Sequence, residues 1–217
     1  MPGIASHSGL YFGTFNPVHT GHLMIAQAAL HQFSSNLGLE RVTFIPAGSP
    51  PHRHHEADLL DARHRFNMVQ QAIATNPAFQ VCDIELKRDG KSYTIDTVRR
   101  LIEQGFVQTP VPLIIGSDAL ANLASWREPE ALIDAACFLQ APRPGVPGVD
   151  SIELNGHTVR LNTRFILMPM LSISSSWVRE TLQESPHDTD GLRYFLPEPV
   201  RHYIRDNGLY GSQPSPF

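Results

Sequence analysis

Long hydrophobic runs, paired cysteines and an excess of charge are all missing from this chain of 217 residues. No apolar stretch approaches the roughly 18 residues that a membrane-spanning helix needs, so we expect no membrane partner. The first residues form neither a basic nor an apolar segment, which predicts no signal peptide and a cytoplasmic location. Cys82 and Cys137 each lie in a predicted strand, which favours buried free thiols over a disulfide or a metal site.

The charge balance excludes a further class of protein. Lysine and arginine number 17 against 21 aspartates and glutamates, a formal net charge of −4. A general nucleic-acid binder normally presents a basic face. We therefore expect no nucleic-acid partner, and any phosphate that binds must be held by local groups.

Two common nucleotide-binding motifs are also absent. No G-x-G-x-x-G follows a predicted strand, so nothing supports a dinucleotide-dependent oxidoreductase. The segment 90–92, Gly-Lys-Ser, looks like the end of a phosphate-binding P-loop, but Glu85 stands where that motif requires its first glycine. We predict an ordinary turn between a strand and a helix.

The chain does contain an alternation of short apolar strands and amphipathic helices. This pattern predicts an α/β fold with a Rossmann-like, doubly wound parallel sheet in a single domain over 1–217. Asn155-Gly156 predicts a hairpin insertion at the sheet edge over 151–161, and we expect 211–217 to be a flexible tail. The predicted strands are 9–12, 42–46, 79–83, 111–115, 137–140 and 165–168, and the predicted helices are 23–30, 59–75, 94–104, 131–135, one from about 175, and 199–206.

The segment 13–22, Gly-Thr-Phe-Asn-Pro-Val-His-Thr-Gly-His, lies where the first strand ends and the first helix begins. In an open α/β sheet, backbone N–H groups and the helix dipole favour anionic ligands at this point. We expect Gly13 and Gly21 to let the backbone approach a ligand or take a positive φ. His19 and His22 then face the mouth of the turn. Histidines that merely cap backbone groups are the weaker alternative.

A second segment, 172–179 or Ser-Ile-Ser-Ser-Ser-Trp-Val-Arg, places hydroxyl groups just before a helix. Such hydroxyls cap the helix and can leave N–H groups free for a phosphate. Arg179 lies one turn further along and could bind the same anion with two parallel hydrogen bonds. Taken alone, the segment favours a plain helix cap.

Together the two segments resemble the H-x-G-H and I-S-S-T-x-I-R signatures of the nucleotidyltransferase superfamily, with Ser176 and Val178 as mild exchanges. Further segments make the chain similar to the bacterial nicotinate-nucleotide adenylyltransferases over nearly its whole length. Phe12 and Asn16 stand where many members have glycine and aspartate. The matching segments are 50–53, 83–85 with Arg88, 92–97, 116–118 with Trp126, 143–145, 194–197 and 200–204.

The resemblance implies an adenylyltransferase that moves AMP from ATP onto the phosphate of nicotinate mononucleotide, giving deamido-NAD and pyrophosphate in NAD biosynthesis. Mg²⁺ is expected to enter with ATP, with no metal held by the protein alone, and histidines beside the triphosphate are expected to be charged. The implied catalytic residues are His19, His22 and Arg179. The implied ATP-binding residues are these three with Gly13, Thr14, Phe15, Gly116, Asp118, Ser174 and Ser175, and the implied acceptor-binding residues are His52, Arg53, Thr94 and Trp126.

Several alternatives stay open. Another transferase of the superfamily could take nicotinamide mononucleotide or phosphopantetheine, and a non-catalytic nucleotide sensor could keep the same fold. Trp126 could be a core aromatic, Thr94 a helix N-cap and Asp118 a cap of the following helix. The histidines His52, His54 and His55 could form a solvated loop. The preference between the acid and amide acceptors is left open, as is assembly into a homo-oligomer.

Overall fold

The structure, a computed structural model, describes residues 7–51, 58–185 and 189–212. Within these ranges the strands are β1 Ser8–Gly13, β2 Arg41–Pro46, β3 Phe79–Val81, β4 Val111–Gly116, β5 Ala136–Ala141, β6 Ser151–Leu154, β7 His157–Arg160 and β8 Thr163–Phe165. The α-helices are α1 Thr20–Phe33, α2 Ala62–Ile73, α3 Thr94–Glu103, α4 Ser117–Ala121, α5 Pro129–Ala135, α6 Ser175–Glu184 and α7 Glu198–Asp206. Short 3₁₀ turns occupy Leu123–Ser125, Asp190–Leu192 and Leu209–Gly211.

Six of these strands form one sheet in the order β3-β2-β1-β4-β5-β8, and every neighbouring pair is parallel. Successive side chains of a strand point to opposite faces. Tyr11 of β1 therefore packs into a core with α1, α2, α6 and α7, whereas Leu10 packs into a second core with α3, α4 and α5. Helices on both faces of a parallel sheet confirm the predicted doubly wound α/β fold.

The strand order reverses at β1, which lies between β2 and β4. The loops that follow β1 and β4 leave the sheet toward opposite faces at such a reversal, and a crevice opens between them. The histidine-containing loop follows β1, whereas Gly116 ends β4 and Asp118 lies in α4 directly after it. The topology therefore places both predicted segments at one crevice.

Three predicted elements differ in the structure. The apolar run 165–168 is not a buried core strand: β8 ends at Phe165, and 50% of Phe165 and 78% of Leu167 are exposed. Cys82 lies just beyond β3 rather than within it, while Cys137 is buried in β5 as expected. The helix predicted from residue 59 begins at Ala62, because the Asp61 carboxylate accepts the Arg63 N–H (2.8 Å) and caps it.

The hairpin predicted from Asn155-Gly156 forms as β6 and β7, and both turn residues have positive φ. Its predicted place at the sheet edge is wrong, because β6 and β7 make a separate two-stranded sheet and β8 pairs with β5. Ile152 instead packs into the core on the α3 side. A turn signal specifies the pairing within a hairpin and carries no information about its neighbours.

The C-terminal segment is ordered further than predicted. Gly211 ends a 3₁₀ turn, and Ser212 is buried with its Oγ donating to the Ile204 carbonyl (3.1 Å). The rest of the predicted tail, 213–217, lies outside the described residues. None of the described helices has the length and apolar character needed to cross a bilayer.

Candidate functional site

The crevice beside β1 holds a cavity of about 600 Å³. Its walls include the loop after β1, the junction of β4 with α4 and the start of α6, so segments from both halves of the chain meet there. The predicted site residues in this wall are Gly13, Thr14, Phe15, His19, His22, Gly116, Asp118, Trp126, Ser174 and Ser175.

Neither Gly13 nor Gly21 has a positive φ, so that half of the prediction is wrong, while close approach of their backbone to a ligand stays a prediction. A Cβ on Gly13 would lie 2.7 Å from the Phe15 ring, and one on Gly21 would lie 2.8 Å from Cγ2 of Ile173. The positive φ falls on Phe15 instead (φ 50°), whose ring is buried. The glycines make room for side chains that shape the loop.

His19 and His22 lie side by side, with ring centroids 3.8 Å apart. The Nδ1 atom of His22 accepts the backbone N–H of His19 (3.2 Å), so a neutral His22 ring carries its proton on Nε2. Burial, aided by the Arg143 cation, lowers the pKa of His19 to about 3. Burial, His19 and Arg143 together hold the pKa of His22 well below its usual value.

Both imidazoles are therefore neutral at pH 7 when only the groups of this chain surround them. A triphosphate beside them adds negative charge, which raises the pKa of a histidine. The expectation of a charged ring in the ATP complex stays a prediction. A neutral His22 is already a donor through Nε2–H, which suits it to a phosphate oxygen.

Arg143 supplies a cation to the cavity wall, with its Nε 3.5 Å from Oδ1 of Asp118. Sequence reasoning treated Arg143 only as part of a family segment and gave it no role. Its position directly after β5, at the carboxyl edge of the sheet, is a signal that could have found it. Asp118 lies in the first turn of α4, whose N-cap is Gly116, so the alternative that Asp118 is the cap is wrong.

The second motif contacts the histidine loop directly. Ser174 caps α6 by accepting the Trp177 N–H (3.1 Å), and Ser175 Oγ donates to the Pro17 carbonyl (2.9 Å). Arg179 Nη1 donates to the Asn16 carbonyl (3.0 Å). The two motifs therefore meet. Arg179 is buried and is not among the described residues that line the cavity, so its contact with phosphate stays a prediction.

Asn16 joins this loop to distant parts of the chain, a role that the sequence did not indicate. Its Nδ2 donates to the Asp58 carbonyl (2.9 Å), and its Oδ1 accepts from Tyr210 Oη (2.8 Å) and from the Leu60 N–H (3.3 Å). An amide can donate and accept at once, whereas an ionised aspartate only accepts. The asparagine therefore suits these partners better than the aspartate of many family members.

A second cavity of about 290 Å³ adjoins the first, and Gly13, Thr14 and Trp126 line both. Thr94 lines the second cavity as the first residue of α3, whose N-cap is Tyr93, so the alternative that Thr94 is the cap is wrong. Trp126 is half-buried and packs partly against the core. Packing in the core therefore explains only part of the surroundings of Trp126, which also lines both cavities.

Glu85 places a buried carboxyl group in the wall of this second cavity. Its Oε1 accepts from Thr97 Oγ1 (2.8 Å). Burial raises the pKa of Glu85, and hydrogen bonds from Thr97 and Ser92 oppose that rise. Sequence reasoning gave Glu85 no role in the site, since burial of an acid is not visible in a local pattern.

His52 and Arg53 lie outside the described residues, together with His54 and His55. Their expected contacts with the acceptor stay predictions. Among the residues that the structure describes, no group of three histidine, cysteine, aspartate or glutamate side chains could hold a metal ion.

Comparison with known proteins gives consistent results. The sequence model of the family described as "Cytidylyltransferase-like" matches residues 10–181. A protein of Desulfitobacterium hafniense (strain Y51) named "Probable nicotinate-nucleotide adenylyltransferase" is 37% identical over 205 residues, which cover 93% of this chain and 94% of the relative. A protein of the same name from Salinibacter ruber is 36% identical over 203 residues, covering 93% and 96%.

Among solved structures, the fold is similar to that of Plasmodium falciparum nicotinic acid mononucleotide adenylyltransferase complexed with NaAD. The TM-score is 0.71 at 20% identity, with 94% of this chain and 97% of that chain covered. At this identity the likeness concerns the fold.

Proposed function

The chain belongs to the nicotinate-nucleotide adenylyltransferases of the cytidylyltransferase-like family, and on that basis we propose that it transfers AMP from ATP to nicotinate mononucleotide. The products are deamido-NAD and pyrophosphate, in a step of NAD biosynthesis. The observation that carries the proposal is the junction of the two cavities at Gly13, Thr14 and Trp126. Such a junction suits a reaction in which the phosphates of two nucleotides must meet.

ATP occupies the larger cavity in this proposal, with its phosphates beside His19, His22 and the start of α6. The N-termini of α1 and α6 both border this cavity, and backbone N–H groups at helix N-termini favour anions. Arg143 adds positive charge to the wall of the same cavity. Nicotinate mononucleotide occupies the smaller cavity, where Trp126 stacks on the pyridine ring and Thr94 contacts its carboxylate.

The transfer needs no protein nucleophile. An oxygen of the acceptor phosphate attacks the α-phosphorus of ATP, the bond from that phosphorus to the bridging oxygen breaks, and charge flows onto pyrophosphate. Holding the two substrates in line is worth about 7–11 kcal/mol, and a preorganised donor about 3 kcal/mol. His22 provides such a donor, because its Nδ1 is occupied by the His19 N–H and its Nε2–H remains for a phosphate oxygen.

We propose that Mg²⁺ enters with ATP. The residues present fit this, because Asp118 is one carboxylate in the wall of the larger cavity, and Mg²⁺ commonly uses one or two carboxylates with substrate phosphates and water. The ion would neutralise part of the triphosphate charge.

The test is to incubate the protein with magnesium and ATP and, in separate reactions, nicotinate mononucleotide, nicotinamide mononucleotide and phosphopantetheine. We expect deamido-NAD and pyrophosphate in equal amounts, formed fastest with the nicotinate acceptor. Faster reaction with phosphopantetheine would favour another transferase, and no pyrophosphate with any acceptor would favour a nucleotide sensor.

A further inference from the structure

Arg65 on α2 is a buried cation that lies outside both cavities, with 1% of its surface exposed. Its Nε donates to the Leu60 carbonyl (3.0 Å), Nη1 to the Thr14 carbonyl (2.8 Å) and Nη2 to the Gly48 carbonyl (3.0 Å). Among the described residues, these carbonyls rather than a carboxylate are its hydrogen-bond partners. A buried charge is costly unless hydrogen bonds satisfy it, so a purely apolar packing role would be better filled by another residue.

All three carbonyls belong to loops that border the site. Thr14 lines both cavities, and Gly48 follows Ala47, which lines the smaller one. Leu60 stands just before α2, at the other end of the loop that begins after β2. The guanidinium of Arg65 thus joins the loop after β1, residues 14–19 and here named the ATP loop, to both ends of the β2–α2 loop.

From Gly48 the contacts continue into the wall of the smaller cavity. Gly48 packs against Glu85 so closely that a Cβ on Gly48 would clash with the Glu85 carbonyl oxygen. Ser49 and Ser92 exchange two hydrogen bonds, from Ser49 N to Ser92 Oγ (3.0 Å) and from Ser92 N to Ser49 O (2.8 Å). Glu85 and Ser92 both line the smaller cavity.

We propose that Arg65 is a positioning residue that holds the ATP loop and the acceptor pocket in one relative geometry. The affinity for each substrate then depends on Arg65, although it lines neither cavity. This inference rests on the proposed function, because its readouts are the binding of ATP and of nicotinate mononucleotide.

The test is Arg65→Lys, with Arg201→Lys as the matched control. A lysine ammonium lacks the planar fork and cannot reproduce three directed bonds to separate carbonyls. Arg201 is also buried, but it lies on α7, pairs with Asp190 and is not among the described residues that line either cavity. We expect Arg65→Lys to raise the KM for ATP and the KM for nicotinate mononucleotide about tenfold each, the size of one lost charged hydrogen bond. Arg201→Lys should lower the unfolding midpoint and leave both KM values within about twofold.

A second variant, Gly48→Ala, interrupts the same connection without changing a charge. The added methyl group would clash with the carbonyl oxygen of Glu85, which lines the smaller cavity. We therefore expect the KM for the acceptor to rise more than the KM for ATP. Wild-type KM values in folded Arg65→Lys and Gly48→Ala would overturn the proposal, and so would failure of both variants to fold, since Arg65 would then be a structural residue only.

Calorimetric titration of ATP and of nicotinate mononucleotide into each protein repeats the comparison without turnover. If the wild-type protein binds neither compound, the proposed function fails. If the wild type binds both and Arg65→Lys binds them equally well, only the inference about Arg65 fails.

Discussion

At the scale of single residues, the hydrogen bond from the His19 backbone to His22 Nδ1 leaves Nε2–H as the donor of a neutral His22 ring. His22→Ala removes this donor, and we expect turnover to fall by about two to three orders of magnitude, measured as pyrophosphate release. Circular dichroism should show an unchanged fold. His31→Ala is the control, because His31 is exposed near the other end of α1. Near-wild-type release from His22→Ala would remove the phosphate contact from the proposal.

Burial of His19 also makes stability depend on pH. The unfolded chain protonates this ring near pH 6.5, whereas the folded protein does so only near pH 3. The unfolded state therefore binds more protons between these values, and the free energy of unfolding falls as the pH is lowered from about 7 toward 3. We expect His19→Ala to have a smaller fall than the wild type in urea unfolding between about pH 7 and 4. Equal slopes would contradict a buried neutral imidazole.

At the scale of elements, α4 and the 3₁₀ turn Leu123–Ser125 bring Trp126 to the wall shared by the two cavities. Trp126→Ala removes the surface proposed to stack on the pyridine ring, a contact worth about 1–3 kcal/mol. We expect the acceptor KM to rise about tenfold or more, and the ATP KM to rise less. Initial rates with each substrate varied in turn measure both constants.

Trp177→Ala is the control for this change, because Trp177 is a half-exposed tryptophan on α6 that is not among the residues described around either cavity. It should leave both KM values near those of the wild type. An equal or larger effect of Trp126→Ala on the ATP KM would place the acceptor elsewhere.

The elements also show what a sequence can predict. The runs of β4 and β5 are almost continuously apolar, which is the composition of strands buried on both faces. Composition alone therefore predicted them as core strands, and both are largely buried. The run 165–168 has the same composition, yet it lies at the sheet edge because no described strand follows β8 in the sheet. Burial of a strand depends on its neighbours, and neighbours are set by the whole topology.

The same limit applies to the site. Ten of the site residues that the family resemblance implied line the larger cavity, and they could be predicted because they lie in contiguous motifs. The resemblance gave no role to Arg65, since an arginine in a helical pattern normally indicates a solvent-facing position. It also missed the bond between Asn16 and Tyr210, which are 194 residues apart. Contacts between distant segments leave no local pattern.

At the scale of the whole molecule, that bond joins the end of the described chain to the loop after its first strand. Arg179 of α6 donates to the backbone carbonyl of the same asparagine, so two C-terminal segments are hydrogen-bonded to the ATP loop. This packing of C-terminal segments against the loop after the first strand supports the proposal of a single domain over 1–217.

Tyr210→Phe tests whether the C-terminal segment supports ATP binding. The change removes a buried donor and leaves Asn16 Oδ1 with the longer bond from Leu60. Burial raises the pKa of Tyr210, so its hydroxyl remains a donor at every assay pH. We expect the free energy of unfolding to fall by about 1 kcal/mol. The KM for ATP should rise severalfold, because the ATP loop loses one of the hydrogen bonds that fix its position.

Tyr203→Phe separates this effect from a general loss of stability. Tyr203 Oη is hydrogen-bonded to His64 and Asn67, 3.0 Å from each, and Tyr203 is not among the residues described around either cavity. Its loss should cost a similar free energy of unfolding, measured by urea denaturation, without changing the KM for ATP. If the two variants have the same KM for ATP, the Tyr210 bond stabilises the fold in general, and the ATP loop does not depend on the C-terminal segment for its geometry.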